Sequence, residues 1–385
     1  MGPGPSDVHP RVLAALSKPT VGHLDPGFQQ LMEAIKASLR YVFQTDNALT
    51  YPVSAPGSAG METCFANIVE PGDKIIIAQN GAFGARMRQN VVRFGGVPVD
   101  VTSEWGHAID PNAIEDALKA HPDAKALAFV HAETSTGVLS DAAALCGLAR
   151  QYDVLSIVDT VTGLIGVPVL VDEWGADAVY SGTQKCLSCP PGLSPVTFSD
   201  RVAEVVKARK APVASWFLDL SLVMEYWLGE GGRTYHHTAP VNALYGLYEA
   251  LMLVEEEGLE ASWERHRNMH RALVSGVDAM GLTMPVAPQD RLPQLNLIQV
   301  PDGVSDGEVR KALLQRHNLE IGAGLSAFAG KAWRIGLMGQ SATPSHVLKF
   351  LTALEDVLTL QGGKIAHGVA VPAAIQVFNE LDIGH

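Results

Sequence analysis

The chain has 385 residues, 47% of them hydrophobic and 18% charged, with a formal net charge of −13 and four cysteines. That length allows two to three domains around a sizeable core. The acidic balance, with no basic run, makes nucleic acid and anionic membrane poor partners. The longest apolar-rich stretch, 154–171, is broken by Asp159 and two glycines, so it reads as a buried strand and loop and not as a membrane span. The N-terminal MGPGPSDVHP lacks the charged and apolar regions of a secretory signal, so a cytoplasmic protein with reduced thiols is expected.

From about residue 50 to 200, short apolar strands alternate with amphipathic helices. The turn 55–60 leads into a helix carrying Met61, Phe65 and Ile68. Strands are predicted at 74–80, 125–131, 154–160 and 176–182, each a continuous β-rich run suited to burial on both faces. A turn over 80–84 follows the first of them. Asp110-Pro111 opens a helix containing Ile114 and Leu118, and Ser140 or Asp141 opens another with Leu145 and Leu148. Such alternation implies an α/β fold with a mostly parallel sheet and helices on both faces.

After about 240 the pattern changes. Helices are predicted over 242–257 and 259–280, separated by Gly258, then strands at 295–300, 319–324 and 332–339, and a helix from Pro344 to Leu360. This reads as a smaller C-terminal α+β domain, with 1–250 as an N-terminal arm and large domain and 251–385 as the small one. The last 20 residues read as a loosely specified tail.

The chemistry concentrates at two strand ends. VLSIVDTV presents Asp159, and VYSGTQKCLSCPPG presents Lys185, 26 residues later. Alone, such a lysine is a surface charge and such an aspartate a cap or ligand. Together they suggest pyridoxal phosphate: the lysine amine forms a Schiff base with the aldehyde, and the aspartate keeps the pyridine nitrogen protonated. The small residues around Gly57, Ser58 and Ala59 suit backbone N–H groups converging on a phosphate. Phe83 is placed either to stack on the ring or to pack in the core, and the Thr134 hydroxyl either to meet the ring oxygen or to satisfy its loop. Tyr235 and Thr238, after a Gly-rich stretch at 229–232, carry hydroxyls that suit a phosphate. Arg334, in a short apolar strand, suits either a substrate carboxylate or a structural salt bridge. Cys186 and Cys189 form a lone CxxC without further ligands at metal spacing, so no metal is expected.

With these pieces in order, the chain closely resembles the fold-type I, class V aminotransferases, and within them the alanine/serine–glyoxylate aminotransferases. The matching segments are GPGPSDVHPRVL, YVFQTDNALT, EPGDKIIIAQNGAFG, ETSTGVL, VDTVTGLIGVPV, YSGTQKCLSCPPG, YHHTAP and RIGLMG. The resemblance implies a seven-stranded large-domain sheet and a homodimer with shared active sites. It makes Lys185 the Schiff-base lysine, Asp159 the pyridinium partner and Thr134 the neighbour of the ring oxygen. Gly57, Ser58 and Gln184 then hold the phosphate with Tyr235 and Thr238 of the other subunit. Arg334 takes the substrate carboxylate, and Gly2-Pro3-Gly4 lines the pocket. Phe83 stands where the family often has tryptophan, keeping a stacking face without an N–H donor. The chain starts at the GPGP motif, without the N-terminal extension by which relatives embrace the partner subunit.

The implied reaction moves an amino group from alanine or serine to glyoxylate or pyruvate in two half-reactions. Other donors within the family are aspartate, 2-aminoethylphosphonate and pyridoxamine. A lyase of the cysteine desulfurase type needs a nucleophilic cysteine well after the lysine and usually a histidine before it. Here Gln184 precedes Lys185 and no cysteine follows Cys189.

Overall fold

A computed structural model describes residues 1–228 and 234–384; the Gly-rich stretch 229–232 lies outside the described residues. The large sheet has seven strands among them, in the spatial order Leu49–Val53, Ser194–Phe198, Ala178–Tyr180, Leu155–Asp159, Ala124–Val130, Lys74–Gln79, Val97–Thr102. The last five of these run parallel; Ser194–Phe198 is antiparallel to both of its neighbours. The central strands are buried on both faces, which explains their unbroken Ile, Ala, Val and Phe runs.

A second sheet of three antiparallel strands, Leu295–Gln299, Ala332–Gly336 and Gly322–Ala323, lies toward the C-terminus. The predicted strand 319–324 thus shortens to two residues, because only these pair with the Arg334 strand. Two main hydrophobic cores follow the two sheets. One is built on Ile76, Phe129, Val158 and Tyr180, the other on Leu273, Trp333, Phe350 and Leu354. Helix Leu259–Ala279 contributes to both, Leu259 to the first and Met269 to Val277 to the second. No described helix is long and apolar enough to cross a membrane.

The structure corrects the expected turns and tail and adds two helices for which no expectation was given. The turns at 55–60 and 80–84 are already helical from Gly57 and Ala82, since N–H groups of a first helical turn need no intrahelical partner. Two N-terminal helices, Pro10–Leu16 and Pro26–Phe43, join the large body; each starts with proline behind a side-chain cap, His9 and Asp25. The C-terminal residues are not a loose tail: Ala370–Glu380 is a helix packed on Leu259–Ala279. Ala370, Ala374 and Phe378, four residues apart, give it one fully buried stripe. Truncating that stripe tests its weight. Phe378→Ala is expected to cost ~3–5 kcal/mol, read from the urea midpoint, whereas a true tail residue changes it by less than about 0.5 kcal/mol.

Candidate active site

Parallel strands open their carboxyl ends onto one crevice, the usual ligand position in such sheets. Asp159 is the last residue of its strand and lies level with Tyr180, the last of the next. The Asp159 carboxylate accepts from the Val161 N–H at 2.8 Å and from the Tyr180 hydroxyl at 2.7 Å. Burial outweighs these two bonds, and with the Glu133 charge nearby the carboxyl is pushed up to about 7. A buried carboxylate held this way is completed by a cation.

Lys185 sits on the loop between Tyr180 and Ser194. The loop is tied to itself by Thr183 Oγ1 donating to the Pro190 carbonyl and Ser194 Oγ donating to the Ser181 carbonyl. Burial pulls the Lys185 amine down to about 8, a change that the Arg334 charge reinforces. Beneath it, Cys186 and Cys189 are buried and unpaired, their thiols pushed up to about 12 by burial. They therefore stay protonated and serve as packing. Among the described residues there is no metal-binding cluster.

The cavity holding Lys185 and Asp159 is also lined by Gly57, Ser58, Phe83, Thr134 and Gln184. Helix Gly57–Ile68 begins at its wall behind Pro56 with no side-chain cap. The free N–H groups and dipole of that end favour an anion. Ala59 stands apart: it does not line the cavity, and its N–H is donated to the Pro56 carbonyl. Gln184 Oε1 is buried with no described partner. These features fit pyridoxal phosphate: an uncapped helix for the phosphate, a buried carboxyl placed to meet a cationic ring and an amine drawn toward neutrality.

Three residues that sequence reasoning left without a role complete this wall. Glu133, fully buried, accepts from the Phe83 N–H at 3.1 Å, the Gly84 N–H at 3.4 Å, the Ser135 N–H at 3.0 Å and the Ser135 hydroxyl at 2.6 Å. Ser135 Oγ in turn accepts from the Ala82 N–H at 2.9 Å. One carboxylate thus locks the helix start that carries Phe83 to the loop that carries Thr134. Arg86 lies over the Phe83 ring, 5.0 Å from its centroid, with one guanidinium N–H 3.5 Å from Ser58 Oγ. Its spacing three residues after Phe83 was the only hint in the sequence. Tyr180, the donor to Asp159, carried no signal beyond its position at a strand end.

Arg334 is buried to 9% exposure. Nε donates to the Ala323 carbonyl at 2.7 Å and a terminal nitrogen donates to the Thr134 carbonyl at 3.3 Å, with no carboxylate paired to it among the described residues. The sequence alternative of a salt bridge is therefore not what these residues make. From the N-terminal arm, the Pro3 carbonyl accepts from Lys185 Nζ, and Ser6 Oγ donates to the Lys185 carbonyl at 2.6 Å. Gly4 has φ +105°, and a Cβ there would stand 2.7 Å from Lys185 Nζ. Tyr235 and Thr238 do not join the cavity; they are exposed, with their hydroxyls 2.9 Å apart.

Residues 8–340 match the family described as aminotransferase class-V. The (S)-ureidoglycine–glyoxylate transaminase of Bacillus subtilis is 39% identical over 98% of this chain and 94% of its own. The alanine–glyoxylate aminotransferase of Rattus norvegicus is 38% identical over 93% of this chain and 87% of its own. The crystal structure of the ureidoglycine–glyoxylate aminotransferase from Bacillus subtilis superposes with a TM-score of 0.96 at 40% identity, covering 98% of this chain and 97% of that one.

The Asp159 environment predicts a pH signature in cofactor-free protein. Its carboxyl titrates near 7 when folded, against 3.8 when free. Below the lower value both states hold the proton and the contribution is intact. As pH rises, the unfolded chain ionises first, so stability drains away until the folded group also ionises. Asp159→Asn, which does not titrate, should therefore gain stability relative to the parent between pH 5 and pH 8 in urea melts. A constant difference across that range would show a carboxylate that folding does not perturb.

Proposed function

The chain belongs to the class-V aminotransferases, and from that membership we propose that it transfers the amino group of a small α-amino acid to glyoxylate, with pyridoxal phosphate as resident cofactor. The observation that carries this reading is the meeting of Lys185, Asp159 and the uncapped helix at Gly57 in one cavity. When bound, pyridoxal phosphate supplies an aldehyde for amines and a protonated ring that accepts the electron pair left at the α-carbon.

The protein's part follows from its residues. Lys185 would provide the amine that holds the aldehyde, and its Nζ would be the group that takes and returns the α-proton. An amine drawn down to about 8 is well matched to both taking and giving a proton near neutrality. Asp159 would meet the ring nitrogen as an anion, Phe83 would offer a flat apolar face, and the Thr134 hydroxyl would serve the ring oxygen. Gly57, Ser58 and Gln184 would hold the phosphate. Tyr235 and Thr238, exposed and turned to each other, support a homodimer in which they complete the neighbour's phosphate site.

Arg334 anchors the α-carboxylate that donor and acceptor share. Its described partners are peptide carbonyls, which orient the guanidinium without neutralising it. This favours donors that carry an α-carboxylate, such as alanine, serine or ureidoglycine, over pyridoxamine or 2-aminoethylphosphonate, which lack one.

Borohydride treatment of cofactor-loaded protein, followed by peptide mapping, should mark Lys185, and Lys185→Ala should abolish turnover. Label on another lysine would overturn the assignment. A donor-by-acceptor matrix on the same preparation should give turnover with glyoxylate and an α-carboxylate donor; activity confined to other acceptors would reject glyoxylate.

Arg334→Lys keeps the charge and loses the planar fork. Its KM for amino donor and for keto acid should rise together, by about 10-fold or more, with cofactor affinity nearly unchanged. Lost cofactor affinity or stability at constant KM would assign Arg334 a structural role.

A further inference from the structure

A second cavity, of ≈ 330 Å³, opens between helix Leu259–Ala279, the start of helix Ala142–Gln151 and residues 291–293. It shares no lining residue with the cavity that holds Lys185. Its polar groups are incompletely satisfied. Arg267 and Arg291 both line it, and neither is ion-paired with a described carboxylate; Arg291 spends only Nε, on the Val286 carbonyl at 2.9 Å. Trp263, one helical turn before Arg267, keeps its indole N–H buried without a described partner. His131, 4% exposed, has a sealed Nδ1 in the same condition.

The charges are of both signs. Asp141 is the carboxylate on this wall; Oδ1 caps the adjacent helix through the Ala144 N–H at 2.9 Å, which leaves Oδ2 open. Burial holds His131 neutral, pulled down to about 4, so that one ring nitrogen is an acceptor. Two guanidinium forks call for a carboxylate. The Asp141 carboxylate calls for an ammonium, and the neutral His131 adds no positive charge against it. Leu139, Val167 and Pro293 add apolar surface to the remaining wall.

We propose that this cavity is a second binding site, separate from the catalytic one, for a small zwitterionic α-amino acid. Its carboxylate lies against Arg267 and Arg291, and its ammonium against Asp141. A dianion is opposed by Asp141, and a simple cation by the two arginines. The assignment rests on this cavity alone and stands apart from the transaminase reading, which turnover assays test by themselves.

Equilibrium dialysis of cofactor-loaded protein against radiolabelled glycine tests it, with Trp263 and Trp174 on the wall as a fluorescence reporter. Arg267 is exposed, so Arg267→Gln should fold normally, and Arg291→Gln provides a second variant. Each should weaken one class of glycine binding by about 10- to 100-fold, the loss expected for a charged hydrogen bond, while cofactor absorbance and its response to glycine stay as in the parent. Acetate, lacking the ammonium, should compete at this class at least about 10-fold less well than glycine. Glycine binding unchanged in both variants would overturn the proposal. Acetate competing equally would also overturn it, by reducing the site to one for any small anion.

Discussion

Two carboxylates are buried beyond the same end of the large sheet, and the catalytic cavity depends on how differently they are satisfied. Glu133 receives four hydrogen bonds, two of them from the opening of helix Ala82–Arg93, so its oxygens are partnered within the fold although burial still pushes the carboxyl up. Asp159 receives two, and lies within the field of Glu133. Burial pushes both carboxyls up, and Asp159, with half as many hydrogen bonds, keeps more of its capacity free for a partner. The first carboxylate therefore acts as a fastener and the second as a receptor for positive charge. Lys185 shows the mirror effect, drawn toward neutrality by burial and by Arg334. The cavity thus holds an acid and an amine whose ionisations are both moved toward neutral pH, a common arrangement where protons must change hands.

How much of this was legible in the sequence depends on the range of the interaction. Asp159 and Lys185 stand at the ends of continuous apolar runs, and such runs identify strand ends without knowledge of the fold. The α/β class and the three strand segments of the smaller C-terminal domain follow from the same runs, and the seven-stranded sheet from the family resemblance, whereas the antiparallel pairing of those three segments is seen only in the structure. The role of Glu133 was hidden because its partners at Phe83 and Gly84 are about 50 residues away, and only the sheet brings them together. The same distance concealed why Phe83 faces the cavity: the helix that carries it begins where Glu133 and Ser135 take up its first N–H groups. Local signals also misled. The last 20 residues read as a loosely specified tail, while a stripe of only three residues was enough to dock them once a matching helix face existed.

The alternatives left open for Arg334 turn on a distinction that sequence does not carry. A buried arginine paired with a carboxylate has its charge consumed, and breaking that pair is costly mainly because a lone ion remains. One held by peptide carbonyls has its direction set while its charge stays available. Arg334 is of the second kind, with Ala323 and Thr134 supplying the oxygens. Thr134 also lines the catalytic cavity, so the bond that aims the guanidinium is made by a residue of that wall.

The N-terminal arm extends this coupling to the lysine. Its Met1 carbonyl accepts from the Gly336 N–H at 2.9 Å, on the strand of Arg334, while Pro3 and Ser6 bond to Lys185. Pro3 also lies against Gly322, where an added Cβ would come within 2.7 Å of the Pro3 ring, so a side chain there would lift the arm away. A few residues of chain therefore span from the anchor strand to the amine. In the proposed transfer to a two-carbon acid, carboxylate and reacting carbon would be neighbours, leaving little of the molecule to correct a misplaced contact. Accuracy would then come from the protein, through the short connection between the proposed carboxylate anchor, Arg334, and the Lys185 amine.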